Sequence, residues 1–566
     1  MQDPHGVIWH KAHSRRALRL MSPGVCAPPL YLPARTCLPV PAFQFDNTYA
    51  RELEGFHVPW KPAAVPEPRL LFLNRPLVEE LGLDATELSA VDTAALFSGN
   101  ALPAGAEPLA QAYAGHQFGG FSPQLGDGRA LLLGEVIDRH GQRRDIAFKG
   151  SGRTPFSRGG DGKAAVGPML REVLISESLH ALGIPTTRAL AVAGTGERVV
   201  REQVLPGAVL TRVAASHLRV GTFQYFAARR ETERVRQLAD YAIARHDPNL
   251  RDIASASERT LAFFRAVARR QAALLAQWMN VGFIHGVMNT DNMTISGESI
   301  DFGPCAFMEA YHPEAVFSSI DHGGRYAYVN QPHIARWNLA RLAETLLPLI
   351  DETPQRAVER ATEVLDAFPG WFEAALRRGQ RAKLGLVGVE PSASTAGARG
   401  ADLLDAVDVD PQAETDDALA GDWLDLLHQH RVDFTQAWRF LADEAASSDA
   451  DTVRNSRLRP LFAAPDALEP WLARWRQRLA QCDGQAPAAA RPETAAALRR
   501  ASPWIIPRNH RVEEALAAAS DHGDLAPFER LLQALQRPFD EHAEDAPFAE
   551  PAPAEVTACY RTFCGT

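Results

Sequence analysis

The spacing of apolar and polar positions divides the chain into a strand-rich first part and a helical remainder. From about residue 43 to 220, short apolar runs alternate with glycine- and proline-containing turns, and the runs at 130–136 and 145–149 predict strands. Apolar residues at helical spacing predict a helix over 168–182. The Gly-Thr-Gly sequence at 194–196, between two further strand-like runs, is typical of a hairpin turn. This part of the chain is therefore expected to be α+β.

Helical periodicity dominates the part that follows. Ser255 and Glu258 form a capping box in front of a long amphipathic run, which should end near Gly282. The next stretch, 283–307, is polar, contains several glycines and lacks a helical period. Loops rich in Asp, Asn and His between rigid elements often carry catalytic residues, so this stretch is the first place to look for chemistry.

Composition narrows the class of protein. The chain has 566 residues, 46% of them hydrophobic and 23% charged, and its mean hydropathy is −0.20, which is typical of a folded globular protein. No run approaches the roughly 18 uninterrupted apolar residues that a membrane-spanning helix needs. A formal net charge of −10 argues against a surface devoted to nucleic acid, so any phosphate site should be a local basic pocket.

Cysteine usage and the N-terminus bear on location. The six cysteines show no paired CxxC spacing, so neither a zinc ribbon nor a secreted disulfide framework is indicated. A reducing compartment fits best, and we expect a cytoplasmic bacterial protein. The basic segment 1–42 is interpreted as a disordered extension or as sequence before a later start codon. A mitochondrial location would apply if it were a transit peptide.

Residues typical of protein-kinase chemistry occur in the order found in a kinase. Lys149 ends a predicted strand in the sequence IAFK, and Glu172 lies on the predicted helix after it. His285 is followed seven residues later by Asn292, which is the spacing of the HRDxxxxN catalytic loop, and Asp301 opens a DFG tripeptide. Each motif alone is common, but their shared order favours a kinase-like nucleotide site.

The chemistry of this set is consistent. Asn292 and Asp301 offer hard oxygen ligands suited to Mg²⁺, which is usually shared with substrate phosphates. Lys149 would place a positive charge on those phosphates while a carboxylate holds it. The helical wheel puts Glu177, rather than Glu172, nearer the apolar face, so both carboxylates remain candidate partners.

Two departures distinguish the chain from a protein kinase. Val287 occupies the position of the HRD aspartate, so the usual base for a protein hydroxyl is missing. No GxGxxG loop covers the nucleotide, and its place is taken by the loops 124–129 and 149–163, with Arg212 and Arg219 further along. Such a surplus of cations could hold a triphosphate in an unfamiliar orientation.

These sequences resemble the selenoprotein O family, whose bacterial members are the YdiU proteins, from about Phe45 to the end of the chain. The specific blocks are YAGHQFGGFSPQLGDGR (113–129), 148–169, HGVMNTDN (285–292), DFGP (301–304) and IPRNHRVEEAL (506–516). The resemblance implies a kinase-like fold in which ATP binds in a flipped orientation, so that AMP rather than the γ-phosphoryl group is transferred to protein hydroxyls. The implied reaction would not use the kinase HRD aspartate, which is consistent with Val287 at that position.

The resemblance also implies roles for individual residues. Asp291 is the implied proton acceptor, and Asn292 and Asp301 are the implied ligands of Mg²⁺ or Mn²⁺. The implied ATP contacts are Gly126, Gly128, Arg129, Lys149, Asp161, Gly162, Arg212, Arg219 and Asp301, with Glu172 as the supporting ion-pair partner. UTP with Mn²⁺ is a second nucleotide that the family implies.

A C-terminal thiol is the remaining implied feature. Family members end in a selenocysteine or cysteine, matched here by Cys564, and some bacterial relatives pair it with a cysteine at the position of Phe317. That partner is missing, and Cys305 lies in the same segment. Cys564 is therefore a candidate redox group, with Cys305 as its candidate partner.

The expected fold is α+β, with a protein-kinase-like two-lobed core and a C-terminal helical extension. The expected segments are the N-terminal extension 1–42, an N-lobe with nucleotide-binding loops 43–228, a helical C-lobe with metal and catalytic loops 229–386, a flexible insertion 387–401, and a helical extension with a cysteine-bearing tail 402–566. The expected activity is transfer of AMP from ATP to Ser, Thr or Tyr hydroxyls of proteins, including the enzyme itself, with no nucleic-acid or membrane partner. The alternatives are uridylyl transfer from UTP, an atypical protein kinase, and an inactive nucleotide-binding scaffold.

Overall fold

A large antiparallel sheet organises the first part of the chain in the computed structural model, which describes residues 43–83, 89–386, 413–446 and 456–563. The strands are β1 (His57–Pro59), β2 (Arg69–Leu73), β3 (Leu109–Gln111), β4 (Gly115–Gln117), β5 (Gly120–Ser122), β6 (Ala130–Ile137), β7 (Arg143–Lys149), β8 (Ala164–Ala165), β9 (Arg188–Val200), β10 (Val204–Ala214), β11 (Phe283–Ile284) and β12 (Ala306–Phe307). The main sheet has the order β1-β3-β6-β7-β10-β9-β2, and β8 pairs with β10. Two separate two-stranded sheets are formed by β4 with β5 and by β11 with β12.

Helices supply most of the structure after β10. They are α1 (Thr48–Glu52), α2 (Arg75–Glu80), α3 (Ala90–Ser98), α4 (Val166–Ala181), α5 (Val220–Ala227), α6 (Thr232–His246), α7 (Ala256–Val281), α8 (Gln331–Ile350), α9 (Pro354–Lys383), α10 (Ala413–His430), α11 (Phe434–Ala446), α12 (Glu469–Asp483), α13 (Pro492–Ala501), α14 (Asn509–His522), α15 (Ala526–Leu535), α16 (Ala546–Ala549) and α17 (Ala554–Cys559). The capping box predicted for α7 is present on its Ser255 side, where Oγ accepts from the Glu258 amide. Helix α7 ends at Gly282, as predicted, and Gly282 takes a left-handed conformation.

Helix α4 lies between the sheet and the C-terminal helices. Leu170 and Val173 of α4 belong to one apolar cluster with Leu210 of β10 and with Val512 and Phe528 of α14 and α15. Because both sides are covered, α4 is buried along nearly its whole length. It is thus a rigid support for any side chain that it presents.

The hairpin turn predicted at 194–196 is wrong. The whole span Arg188–Val200 is one strand, β9, and the chain reverses at 201–203 before β10. Gly196 takes a φ of +75° where the register between β9 and β10 shifts, so the glycine serves an irregularity within the ladder. The Gly-Thr-Gly sequence indicated an unusual backbone conformation, but it did not distinguish a hairpin turn from an irregularity within a strand.

The predicted combination of sheet and helices is confirmed, whereas the two-lobed kinase-like arrangement and the segment boundaries stay predictions. The extension 1–42 and the insertion 387–401 lie outside the described residues. Among the helices that the structure describes, none has the length and apolar character required to cross a membrane.

Candidate active site

A buried cluster of charged side chains forms beside the end of β7. Lys149 on β7 and Arg212 on neighbouring β10 project from the same face of the sheet, because Lys149 pairs with Leu210, two residues from Arg212. The Lys149 Nζ lies 2.5 Å from Oε1 of Glu172 on α4 and 2.6 Å from Oδ1 of Asp301. The Arg212 Nη2 lies 2.9 Å from Glu172 Oε2 and 2.6 Å from Asp301 Oδ1. Residues far apart in sequence thus share one ion network.

Glu172, and not Glu177, is the carboxylate that contacts Lys149. Glu177 forms an ion pair with Arg188, with 2.8 Å between Nη2 and Oε2, and accepts from the Ala189 amide. The helical wheel favoured the wrong residue because α4 is covered on both sides, so both glutamates are buried. An apolar face cannot separate two buried positions on such a helix.

Arg219 adds a third cation to the cluster. It immediately precedes α5, donates from Nη1 to the Asp291 carbonyl at 2.7 Å and lies 3.2 Å from Asp301 Oδ2. The Nε atoms of Arg212 and Arg219 are buried and have no hydrogen-bond partner in the described part of the chain. Three cations therefore surround two carboxylates and leave donors that suit the oxygens of an anionic ligand.

The cluster fixes the charge states of its members. Burial opposes ionisation of Asp301, but Arg212, Lys149 and Arg219 outweigh it and hold the pKa of Asp301 well below its usual range. Burial lowers the pKa of Lys149, and the carboxylates of Asp301 and Glu172 oppose that effect. Asp301 itself has a φ of +64°, a conformation that Asp tolerates better than most residues. The carboxylate is thus held as an anion in a constrained position.

Asp291 lies on a short 3₁₀ turn, Thr290–Asn292, beneath the β4–β5 hairpin. Its Oδ2 accepts from Gln117 Nε2 at 3.1 Å, while its Oδ1 is buried and has no hydrogen-bond partner in the described residues. A Cβ added at Gly115 would lie 2.5 Å from that Oδ1, so the hairpin backbone closely approaches the carboxylate. Burial raises the pKa of Asp291 to about 6, against the lowering effect of Arg219. Asp291 Oδ1 is therefore a hydrogen-bond acceptor that is largely shielded from solvent.

Asn292 and Asp301 carry side-chain oxygens that could hold a metal ion. The Asn292 amide nitrogen donates to the Val287 carbonyl at 3.0 Å, which fixes the side chain and leaves its oxygen as a ligand. Together with the ionised Asp301, this gives the few hard oxygens that Mg²⁺ or Mn²⁺ needs when phosphates supply the rest. The described residues contain no cluster of three or more His, Cys, Asp or Glu that could hold a metal by itself. The residues present fit an ion shared with a nucleotide.

The two predicted nucleotide loops are bonded to each other. Thr154 Oγ1 donates to the Asp127 carbonyl at 2.5 Å, and Ser157 Oγ donates to the Gly128 carbonyl. Gly126 has a φ of +70°, and a Cβ there would lie 2.3 Å from the Phe156 ring, so no larger residue fits. The Arg129 carbonyl accepts from the Gly150 amide at 2.7 Å, directly after Lys149. These contacts join the loop 124–129 to the loop 149–163 and to the end of β7.

Asp161 and Gly162 lie on the second loop. Asp161 is bound by Arg201 through contacts of 2.8 and 2.9 Å, and the Gly162 carbonyl accepts from the Gly152 amide at 3.0 Å. No contact within the described residues joins Asp161 to the charged cluster. Its assignment to the nucleotide stays a prediction.

The C-terminal tail lies against the segment that follows Asp301. Thr562 Oγ1 donates to the Pro304 carbonyl at 2.6 Å, and the Thr562 backbone pairs with Phe317 and Ser319. The Cys305 thiol is buried, donates to the Phe302 carbonyl at 3.3 Å, and has its pKa raised to about 12 by burial. Cys564 lies outside the described residues. The proposed redox pair therefore stays a prediction, and its Cys305 member is poorly suited to form a thiolate.

Sequence reasoning missed Gln117 and Arg201. Both act through partners distant in the chain, since 174 positions separate Gln117 from Asp291 and 40 separate Arg201 from Asp161. Gln117 belongs to the distinctive block at 113–129, which was the available signal. Nothing in its immediate sequence indicates which residue it contacts.

Comparison with known proteins places the chain in a class. A model of the family described as "Protein adenylyltransferase SelO" matches residues 39–536. The protein nucleotidyltransferase YdiU of Cereibacter sphaeroides is 58% identical over 525 residues, which cover 93% of this chain and 100% of the relative. The YdiU protein of Chromobacterium violaceum is 58% identical over 510 residues, covering 90% and 99%, and that of Rhizobium leguminosarum is 55% identical over 525 residues, covering 93% and 98%.

These similarities show that the chain is an enzyme of the protein nucleotidyltransferase class. Such enzymes use a nucleoside triphosphate and a divalent metal, and their acceptors are proteins. More specifically, the chain belongs to the SelO family, as its sequence blocks predicted.

Proposed function

We propose that the protein transfers AMP from ATP to Ser, Thr or Tyr hydroxyls of proteins. The observation that carries this proposal is the pair of arginines at Asp301, where Arg212 and Arg219 stand beside the usual Lys149–Glu172 pair. Their unpartnered Nε atoms and their burial suit a triphosphate drawn deep into the cluster. The family description, protein adenylyltransferase, supports ATP as the nucleotide.

The same arrangement supports a kinase-like two-lobed core with a flipped nucleotide. A lysine at the end of a strand, a glutamate on the helix after it, and an Asn and an Asp on adjoining loops reproduce the order of a kinase site. Val287 stands where a kinase has its aspartate, and the carboxylate with a free oxygen is instead that of Asp291. A reversed triphosphate would bring the α-phosphorus, rather than the γ-phosphorus, to Asp291.

The residues divide the work as follows in this proposal. Lys149, Arg212 and Arg219 hold the phosphate oxygens and offset their charge, and Glu172 keeps Lys149 in place. The acceptor hydroxyl oxygen bonds to the α-phosphorus, the bond from that phosphorus to the bridging oxygen breaks, and pyrophosphate leaves. Asp291 accepts the hydroxyl proton at Oδ1. Asn292 and Asp301 would hold Mg²⁺ or Mn²⁺, which supplies further positive charge at the phosphates.

The test compares the fate of two labels. The purified protein is incubated with ATP labelled at the α- or the γ-phosphorus, with Mg²⁺ or Mn²⁺, and with a general acceptor protein. We expect α-label in the acceptor or in the enzyme itself, and mass spectrometry should find AMP on a hydroxyl. Incorporation of γ-label alone would establish a kinase, and a much stronger signal from α-labelled UTP would establish uridylyl transfer. Absence of all labels would leave an inactive scaffold.

A further inference from the structure

The β4–β5 hairpin has an inner side that contacts Asp291 and an outer side that exposes two aromatic rings. Gly115 and Gln117 form the inner side, as described above. Phe118 and Phe121 have 40% and 43% of their surface exposed, although both belong to a residue type that is usually buried. The exposed rings therefore lie on the same short hairpin as the two residues that contact Asp291.

Phe118 is held in an unfavourable backbone conformation. Its φ is +51°, a value that a bulky residue rarely adopts without compensation. Its amide donates to Asn289 Oδ1 at 3.1 Å and to the Tyr326 hydroxyl at 3.2 Å, and the Tyr326 hydroxyl donates to Asn289 Oδ1 at 2.7 Å. The loop that carries Asp291 and the segment after Asp301 thus fix the backbone of Phe118, and its ring packs on the Tyr326 ring with 5.1 Å between centroids. Backbone strain of this kind is concentrated at functional sites.

A positive charge lies next to the hairpin tip. The guanidinium of Arg325 lies within 3.9 Å of the Cβ position of Gly119 and 4.9 Å from the centroid of the Trp337 ring. Arg325 forms no ion pair with a carboxylate in the part of the chain that the structure describes. The nearby Asp321 uses its two oxygens on the backbone amides of Arg325 and Tyr326. Its Nε is buried and its guanidinium packs on the Tyr326 and Trp337 rings, so its terminal nitrogens are the atoms that can meet an acidic side chain from outside.

We propose that Phe118, Phe121 and Arg325 form the docking platform for the acceptor protein. The occupant is an extended segment with an apolar side chain and an acidic side chain near its hydroxyl residue. The apolar side chain would cover the two rings, and the acidic one would pair with Arg325. This inference rests on the proposed function, because it supplies the acceptor for the hydroxyl that Asp291 serves.

Peptide binding tests the platform without requiring transfer. Three pools of short fluorescent peptides carry a central serine flanked, at varied positions, by Leu and Glu, by Leu and Lys, or by Ala and Lys. Fluorescence anisotropy with wild-type protein should show the tightest binding for the Leu and Glu pool. Phe118→Asn, which tolerates the left-handed backbone, and Phe121→Ser should each weaken that binding by about tenfold, as should Arg325→Gln.

Matched controls separate the platform from general surface effects. Val91→Ser removes an exposed apolar side chain on α3, and Arg500→Gln removes an exposed arginine on α13. Both should bind the peptides as wild type does, and thermal melting should show that every variant is folded. Arg325→Gln should also lose the preference for Glu over Lys, whereas Phe118→Asn should retain it.

The outcomes that overturn the proposal are distinct from those that overturn the activity. Wild type that does not discriminate among the pools, or platform variants that bind like the controls, would refute docking at this surface. A dimer that Phe118→Asn dissociates, with peptide binding unchanged, would show that the rings contact a second copy instead. Peptide binding that depends on Phe118 and Arg325 without any incorporation of α-label would support the platform and refute the nucleotidyl transfer.

Discussion

Asp301 is the residue on which the charged cluster depends. Both of its oxygens contact cations, so Asp301→Ala removes the carboxylate that Lys149, Arg212 and Arg219 share. Lys149 and Arg212 keep their ion pairs with Glu172. We expect Asp301→Ala to lower nucleotidyl transfer by about 10³-fold or more, because charge at the phosphates is no longer balanced around a metal. The measurement is incorporation of α-labelled nucleotide at saturating Mg²⁺ and Mn²⁺.

Asp301→Asn is the matched variant for this measurement. It tolerates the positive φ as Asp does, so it separates loss of charge from backbone strain. Both variants should lose activity to a similar extent and remain folded. Near-normal turnover in Asp301→Asn would mean that the carboxylate charge is dispensable and that the DFG match is accidental.

Gln117 is expected to position Asp291. Its amide makes the single hydrogen bond that the structure shows on Asp291 Oδ2, so Gln117→Met, which keeps the shape without the donor, frees the carboxylate to rotate. We expect kcat to fall by about tenfold to a hundredfold while KM for ATP stays the same, because orientation and not nucleotide binding is lost. Steady-state kinetics with α-labelled ATP checks this split. A rise in KM for ATP with unchanged kcat would instead place Gln117 at the nucleotide.

At this scale the sequence predicted the residues whose motifs have a fixed spacing. Lys149, Asn292 and Asp301 followed from the order and the spacing of kinase-like motifs, and they lie on the expected kinds of element. Glu172 was separated from Glu177 only by the structure, because a helix buried on both sides carries no directional apolar signal. Gln117 could not be predicted, since its contact depends on how a distant hairpin packs.

Among the elements, α9 meets α11 through a buried lysine. Lys383 Nζ lies 5.0 Å from the centroid of the Phe434 ring and 4.6 Å from that of Trp438, and it donates to the Asn280 carbonyl. Burial lowers the pKa of Lys383 to about 7. Because lysine in an unfolded chain titrates near 10.4, the unfolded state binds one more proton than the folded state between about pH 7 and pH 10.

This difference predicts how stability depends on pH. The free energy of unfolding should rise with pH in that window by up to about 1.4 kcal/mol per unit, relative to Lys383→Met, which keeps the apolar contacts without the titrating group. Below pH 7 both states are protonated and the dependence should vanish. Urea unfolding of both proteins at several pH values measures the difference. A difference that is constant from pH 7 to pH 9 would show that Lys383 keeps its ordinary pKa in the fold.

Elements were predicted well where local signals sufficed. The caps of α7 and the strands on either side of the turn at 138–142 follow from short-range residue patterns, and the structure has them where expected. The irregularity in β9 was misread because glycines serve hairpin turns and strand bulges alike. Only the partner strand distinguishes the two, and it is not encoded locally.

At the scale of the whole molecule, the end of the chain returns to the candidate active site. Thr562 bonds to Pro304 and to the strand-like stretch at 317–319, so the tail is joined to the segment that carries Asp301. Tyr560 strengthens this contact by packing on Phe317, 6.0 Å between ring centroids, and by donating to Glu513. Composition and periodicity gave no indication that the tail contacts this segment, and a role for Cys564 was implied only by the family resemblance.

We expect this junction to respond to redox conditions through Cys564. A disulfide between Cys564 and a cysteine in the segment after Asp301 would restrain that segment and lower activity. Dithiothreitol should then raise the activity of wild type but not that of Cys564→Ser. Cys305→Ser tests the partner, and its buried thiol makes a Cys305 disulfide dependent on local opening. Peptide mapping under non-reducing conditions identifies any bond. An equal response to reductant in all three proteins would remove the regulatory role.

The anchoring of Thr562 also bears on how recombinant forms of the protein should be prepared. An affinity tag or fluorescent protein fused shortly after Thr562 would lie close to a hydroxyl bonded to Pro304, itself three residues after Asp301. A bulky tag there could displace the segment that contains Asp301, on which the measured activity depends. Turnover measured on such a fusion would include the effect of the tag on this segment, so the tag is better removed before kinetics are recorded.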